Sequence, residues 1–483
     1  MTPTDTGPDG HRDATDPAAD RRRWQALAVG LVAAFMTLLD ISIVNVAVPS
    51  IDRALGAGPS DLQWVLSGYA LTFGLVLVPA GRFGDARGRR AVFLLGVALF
   101  TVTSAVAGLA RSPEWLIAAR LLQGAAAGVV NPQVTGLIQE LFRGPERARP
   151  FGLLGATIGV STAVGPLLGG VLIHIGGAEH GWRWVFFVNV PVGIVAMVFA
   201  WRLVPSRPNG SSGERGLDPV GVLLLGVGVV ALLLPLVQGE RWRSPARWWL
   251  VPAGLVVLVA FGLWERRYAR RRPPLFCLDL FRTRSYLLGS VIALLYFGGF
   301  TALFFVFTLY LQTGLGYSPL VAGAAITPFA LGSALTSAIS GRIVNRTGRL
   351  LVVVGLAGAI LGLLAVVLVS LLVPEGPAPL TLAGPLLLAG LGSGLVIAPN
   401  QTLTLAEVPV PVAGSGAGML QTGQRIGSAA GIAGVGSVFF STVGGSGDWS
   451  AGLRHALLVA AGIIVLALLA ALLDVAGRRR RRR

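Results

Sequence analysis

The stretch LLDISIVNVAVP (residues 38–49) sets an aspartate inside an apolar run that extends from Trp24 to Pro49. Such a run is long enough to cross the hydrocarbon core of a bilayer, which takes about 20 helical residues. A charge at that depth costs roughly 2.5–3.5 kcal/mol on insertion scales. Asp40 therefore implies either a function or a buried partner, and the rest of the chain decides which.

Composition places the whole chain in a membrane. Of its 483 residues 54% are hydrophobic and 13% charged, against about 25% charged in soluble domains. The net charge of +17 comes from 39 basic residues, all of them arginine. They cluster beside apolar runs, as topogenic signals that also meet anionic lipid do, so no nucleic-acid partner is expected. The lone Cys277 excludes an intrachain disulfide framework and a CxxC metal site. Residues 1–23 read as a disordered N-tail rich in Pro, Asp, Thr and Gly.

Fourteen apolar segments follow, at about 25–48, 62–81, 91–110, 114–138, 150–173, 184–203, 219–238, 247–264, 285–311, 319–340, 350–373, 380–403, 413–440 and 453–474. With the N-terminus inside, RRR (21–23), RFGDARGRR (82–90), RGPERAR (143–149), ERRYARRR (265–272), RIVNRTGR (342–349) and RRRRRR (478–483) all fall on the cytoplasmic side. That is the positive-inside pattern, and it requires an even number of spans; only RWRSPAR after span seven departs from it. The eleven tryptophans fall at predicted span ends, as an aromatic belt does.

GRFGDARGRR (81–90) and GRIVNRTGRL (341–350) match at Gly, Arg, Gly and Arg, 260 residues apart. GAAAGVVNPQ (124–133) and GLGSGLVIAPNQ (390–401) echo each other with a small insertion. Repeated halves are a common transporter architecture, with the site near the midplane between them. The expected fold is all-α: a six-helix bundle (24–203), two inserted helices with linkers (204–284), a second six-helix bundle (285–475) and a basic tail (476–483). Gly81, Gly84 and Gly88 permit tight turns, and Asp85 can latch onto a nearby arginine. Asn345 replaces Asp85 in the second copy, which predicts a stronger latch in the first half. The alternative is a purely topogenic loop.

Asp40 is the one acid deep in a predicted span, roughly 14 Å from the outer end by helix rise. Ala33, Thr37, Val44 and Ala47 share its face; Ser42 and Asn45 point elsewhere. Arg120 lies in the outer half of span four, with Gln123, Gly124, Ala127, Asn131 and Thr135 on its face, a stripe too polar for lipid. Asp40 and Arg120 read either as a structural ion pair or as a proton-carrying site, since movement that alters a carboxyl's charge partners or solvation alters its proton affinity. Arg425 shares a mid-span face with Gln421, Thr422 and Ser428. Tyr296, Phe300, Phe307 and Tyr310 form a stripe on span nine that suits either a pocket for flat ligands or lipid packing. GVSTAVGPLLGG (159–170) stacks small residues around Pro166, a pattern that suits close, sliding helix contact. His11, His174, His180 and His455 are scattered, and no nucleophile–base pair or phosphate loop occurs, so the chain does not read as an enzyme.

Together these stretches resemble the major facilitator superfamily, specifically its fourteen-span drug:proton antiporters of the QacA/EmrB type. LLDISIVNVAVP, GRFGDARGRR, RLLQGAAAG (120–128), GPLLGG (165–170), WRWVFFVNVPVG (182–193) and QTGQRIGSAAG (421–431) resemble that group's motifs in order, over about residues 24–475. The resemblance implies alternating access driven by the proton-motive force, with no cofactor and no metal. It implies proton coupling by Asp40 and Arg120, a cytoplasmic gate at Gly81, Asp85, Gly88 and Arg89, and an antiporter hinge at Gly165, Pro166, Gly169 and Gly170. Gln123, Asn131, Tyr296, Phe300, Gln421 and Arg425 are the expected cargo-cavity residues. The expected partners are a small-molecule drug, protons and the lipid bilayer, with the protein a monomer in a bacterial cell membrane and both termini cytoplasmic. A single deep acid favours a neutral or monocationic apolar cargo; a proton-coupled transporter of a metabolite or siderophore is the rival reading.

Overall fold

The structure is a computed structural model that describes residues 17–142, 146, 148–205, 218–237, 242, 244–272, 274, 276–373, 379–408 and 413–482. Among them all regular structure is helical. The elements are α1 (Pro17–Leu55), α2 (Pro59–Arg87), α3 (Arg89–Gly108), α4 (Pro113–Leu141), α5 (Ala148–Phe187), α6 (Asn189–Leu203), α7 (Pro219–Val237), α8 (Leu250–Tyr268), α9 (Arg284–Leu309), α10 (Pro319–Thr347), α11 (Arg349–Leu372), α12 (Ala383–Gly394), α13 (Ile397–Leu405), α14 (Ala413–Ser446) and α15 (Trp449–Arg482).

Thirteen described helical segments are long and apolar enough to cross a membrane. The predicted fourth span is α4, whose 29 residues exceed a membrane crossing but include the polar stripe from Arg120 to Gln133. Lipid would not tolerate that stripe, and the fold encloses it: Arg120, Gln123 and Gln133 are all buried.

The N-terminal end differs from expectation. α1 already begins at Pro17, so residues 17–23 of the expected disordered tail are helical, while 1–16 lie outside the described residues. At the other end α15 runs through the arginine tail to Arg482, because nothing between Gly477 and Arg482 stops a helix.

The internal repeat extends from sequence to packing. In the first half α1 packs on α5, α2 on α4, α3 on α4 and α6. In the second half α9 packs on α14, α10 on α12, and α11 on α12 and α15, which is the same set shifted by one repeat. Across the seam α2 meets α14 and α10 meets α5, again exchanged by the repeat. The extra pair α7–α8 forms a hairpin whose α7 lies against both α2 and α14.

Two breaks have legible causes. α5 includes a kink at Gly177, whose φ of 78° and ψ of 166° suit glycine alone, and the turn separates spans five and six. The twelfth span is split into α12 and α13 where α4 is continuous. The longer second copy of the echo, GLGSGLVIAPNQ, must absorb its extra residues, and the backbone tightens there: Leu395 N–H donates to Gly392 O (3.1 Å) and Val396 N–H to Ser393 O (3.0 Å).

One face of the bundle gathers the arginine-rich turns. Arg23 reaches Glu146 (2.9 Å), Arg82 donates to Pro274 O (2.9 Å), Arg90 to Trp201 O, and Arg284 to Leu473 O (2.8 Å). We call this the basic face and the other the opposite face.

Candidate functional site

Asp40 and Arg120 meet. Arg120 Nη1 lies 2.5 Å from Asp40 Oδ2, and both side chains are sealed, at 1% and 0% exposure. Two further donors close the cluster. Gln123 Nε2 and Asn189 Nδ2 each donate to Asp40 Oδ1 at 2.9 Å, and Arg120 donates to Gln123 Oε1 (2.8 Å) and, from Nε, to Val65 O (3.1 Å). Asn189 is held in turn by Ser104 Oγ (3.1 Å). Five helices of the first half thus supply one charge-neutral knot, in the half of the bundle toward the opposite face.

Small residues allow the approach. A Cβ on Gly124 would lie 2.3 Å from Tyr69 O, so only glycine lets α4 settle on α2 at this level. That contact stacks the Arg120 guanidinium 4.1 Å above the Tyr69 ring, whose hydroxyl donates to Thr37 O (3.1 Å). A guanidinium and a carboxylate inside protein attract strongly only when their remaining donors and acceptors are met, and here both carboxylate oxygens are engaged.

The aromatic ladder continues along α2. Tyr69 meets Phe73 edge-on at 6.1 Å between centroids, and Arg425 of α14 stacks over Phe73 at 4.2 Å. Arg425 is therefore at mid-helix on the seam between the halves. There Gly74 faces Arg425 Cβ, and Thr422 Oγ1 donates to Gly74 O (2.9 Å).

The remaining expected cavity residues divide. Gln123 belongs to the ion-pair knot and is fully buried; Asn131 donates to Thr37 Oγ1 (3.0 Å) beside it. Gln421 lies on α14 a turn before Arg425 and is partly buried. Tyr296 and Phe300 sit within the second half, away from the seam. Tyr296 donates to Ser393 Oγ (2.6 Å), stacks on Phe300 at 5.3 Å, and with Phe329 surrounds a void of about 10 Å³, room for a single water. Phe300 precedes Gly341 by the same distance as Asp40 precedes Gly81. At the repeat-related place, aromatic packing thus stands where the first half has its ion pair.

At the basic face, Gly81 approaches Pro132 and Gly88, at φ +94°, separates α2 from α3. Arg89 lies across Gly136 and pairs with Glu140 at 3.7 Å. The side chains of Asp85 and Asn345 lie outside the described residues. The second half nonetheless has a strong fastening of its own. Arg349, the repeat partner of Arg89, binds Asp474 Oδ2 at 2.7 Å, Ser285 O at 3.0 Å, Thr404 Oγ1 at 3.2 Å and Asn400 Oδ1, with both charges about 2% exposed or less. The substitution at Asn345 did not reveal this, because the acid comes from α15, 125 residues further on.

The small-residue stretch of α5 has two working faces. On one, a Cβ at Gly165 would meet Ser42 Oγ at 2.0 Å and one at Gly169 would meet Ile43 O at 3.0 Å, so α5 rides on α1. On the other, a Cβ at Gly170 would lie 2.7 Å from Leu320 Cα and one at Gly323 2.3 Å from Pro166 O, so α5 also seats α10 of the other half. Asn189 and Ser104 escaped the sequence reading. The available signal was Asn189 in WRWVFFVNVPVG, since an amide in an apolar span must find a partner.

The family model described as Major Facilitator Superfamily matches residues 30–432. A probable actinorhodin transporter of Streptomyces coelicolor is 37% identical over 91% of this chain and 76% of its own length. A puromycin resistance protein of Streptomyces alboniger is 37% identical, covering 86% of this chain and 81% of its own. A cephamycin export protein of Amycolatopsis lactamdurans is 36% identical, with 87% and 85% covered. Among solved structures, a bacterial homologue of the human lysosomal transporter Spinster, inward-facing and unoccupied, superposes with a TM-score of 0.66 at 17% identity, over 93% of this chain and 97% of that one.

Proposed function

This chain belongs to the Major Facilitator Superfamily, and on that premise we propose that it is a proton-driven exporter of small antibiotic-like compounds. The observation that carries the reading is the sealed Asp40–Arg120 pair with its Gln123 and Asn189 donors. The printed descriptions of the relatives, as transporter, resistance and export proteins, supply the cargo class.

The proposed coupling is electrostatic. While Asp40 is ionised the knot is neutral, and α1, α4 and α6 are tied together. A proton on Asp40 removes the charge partner of Arg120 and turns one acceptor oxygen into a donor, so the knot must rearrange. An uncompensated buried charge costs several kcal/mol, enough to shift a two-state equilibrium. A membrane potential adds about 2.3 kcal/mol per charge per 100 mV, so protonation from one side and release to the other bias the cycle.

The two seam contacts, α2 with α14 and α5 with α10, are where the halves would rock. Gly165, Pro166, Gly169 and Gly170 serve as the hinge surface, and Gly81, Asp85, Gly88 and Arg89 as the gate of the basic face, which faces the cytoplasm with both termini. The working unit is a monomer in a bacterial cell membrane, and the proton-motive force takes the place of any cofactor. The test is accumulation of a fluorescent antibiotic in pump-deficient cells expressing the protein. Reduced accumulation that a protonophore restores supports the proposal; accumulation indifferent to the protonophore contradicts proton drive.

A further inference from the structure

Among the described residues, Arg120, Arg349 and Arg425 lie within the helix pack, and they differ in how their charge is met. Arg120 has Asp40, and Arg349 has Asp474. Arg425 has neither a carboxylate nor a hydrogen-bond acceptor among the described residues; its guanidinium stacks on the Phe73 ring at 4.2 Å. It is partly buried, at mid-helix, on the seam between α2 and α14. A guanidinium in such a place has its planar donor fork available, and an aromatic face beneath it.

The carboxylate that the sequence offered to a cationic cargo is not available in this structure. Both oxygens of Asp40 accept from Arg120, Gln123 and Asn189, and the residue is fully buried. Among the described residues, the seam therefore presents the Arg425 charge with no acid paired to it.

We propose that Arg425, backed by the buried Phe73 ring, is a cargo-recognition site for compounds carrying an anionic oxygen, a carboxylate or an ionised phenol. This redirects the expectation of a neutral or monocationic cargo and rests on the exporter reading for its biological use. The fork takes the two oxygens of a carboxylate side by side, and Phe73, itself fully buried, supports the guanidinium from beneath. The site is joined to the proton knot by the Phe73–Tyr69–Arg120 stack along α2, so occupancy of one bears on the environment of the other.

The test uses the full chain in lipid nanodiscs and a matched series of pyrene probes: pyrenebutyrate (anion), pyrenebutanol (neutral) and pyrenemethylamine (cation). Binding is read by energy transfer from tryptophan. The wild type is expected to bind pyrenebutyrate about ten- to a hundredfold more tightly than pyrenebutanol, the worth of one hydrogen-bonded charge. R425Q abolishes that preference, and R425K, which keeps the charge but not the fork, retains part of it. Equal binding of acid and alcohol, preference for the amine, or a preference that survives R425Q overturns the proposal. Binding preference that depends on Arg425 without export of the acid in energised vesicles would leave the site standing and sink the exporter reading alone.

Discussion

Removing one partner of the Asp40–Arg120 pair should damage the fold far more than removing both. Asp40→Asn leaves the Arg120 guanidinium, 1% exposed, with no countercharge, and Arg120→Gln leaves the Asp40 carboxylate, 0% exposed, in the same position. Breaking a buried pair from either side costs about 3–5 kcal/mol, whereas replacing both charges is often near neutral. Asn and Gln are close in shape to the residues they replace, and the amides of Gln123 and Asn189 remain to bond them. The singles should thus each lose about 3–5 kcal/mol and the double little, giving a coupling energy of several kcal/mol in a double-mutant cycle. The assay is denaturant or thermal unfolding of the purified protein in one detergent, followed by intrinsic fluorescence. If the double mutant lost the sum of the two singles, the two charges would not be stabilising each other, and the knot as described would be refuted. The double should also fail in transport whatever its stability, which separates folding from coupling.

At the basic face, Asp474→Asn should cost about 3–5 kcal/mol by stranding Arg349, and Asp474→Asn with Arg349→Gln should recover most of it in the same unfolding assay. Gly177→Ala should cost about 1–3 kcal/mol, because φ 78° with ψ 166° is a glycine conformation; unchanged stability would remove the kink from the account. Gly165→Val should block close approach of α5 to α1, where even a Cβ would meet Ser42 Oγ at 2.0 Å, and lower both yield and transport; wild-type behaviour would mean the contact is dispensable. For orientation, in a Cys277→Ser background a membrane-impermeant maleimide applied to right-side-out vesicles should label Arg111→Cys on the opposite face and spare Arg346→Cys on the basic face. The reverse labelling would invert the topology.

Much of this architecture was legible because lipid restricts what a chain can do. Spans need length and apolarity, arginines stay on one side, and a deep charge needs a partner. Those rules sufficed to place Asp40 and Arg120 in the same half of the membrane. They could not show that Asn189, 149 residues from Asp40, completes the carboxylate's shell, because that depends on how α6 is rotated against α1. The pairing of Arg349 with Asp474 was hidden for the same reason: the acid lies at a span end, where a carboxylate raises no alarm. The aromatic stripe of span nine fitted a pocket for flat ligands or lipid packing; in this structure Tyr296, Phe307 and Tyr310 are buried inside the protein, with Tyr296 stacked on Phe300 and Phe300 beside Phe329. The repeat was visible in two short motifs, yet its extension to the main helix pairs of each half, and the aromatic residue in place of the acid in one copy, needed coordinates. The split of span twelve was foreshadowed by the longer second copy of the echo, although length alone does not say whether a bulge or a break absorbs it.

The most direct test of the central claim is proton release from energised inside-out vesicles on addition of each compound in a panel of antibiotics, compared between wild type and Asp40→Asn. The account predicts compound-specific release in the wild type that disappears in the mutant while the protein remains inserted. Release that persists in Asp40→Asn would contradict it and leave the buried pair as a structural tie between α1 and α4.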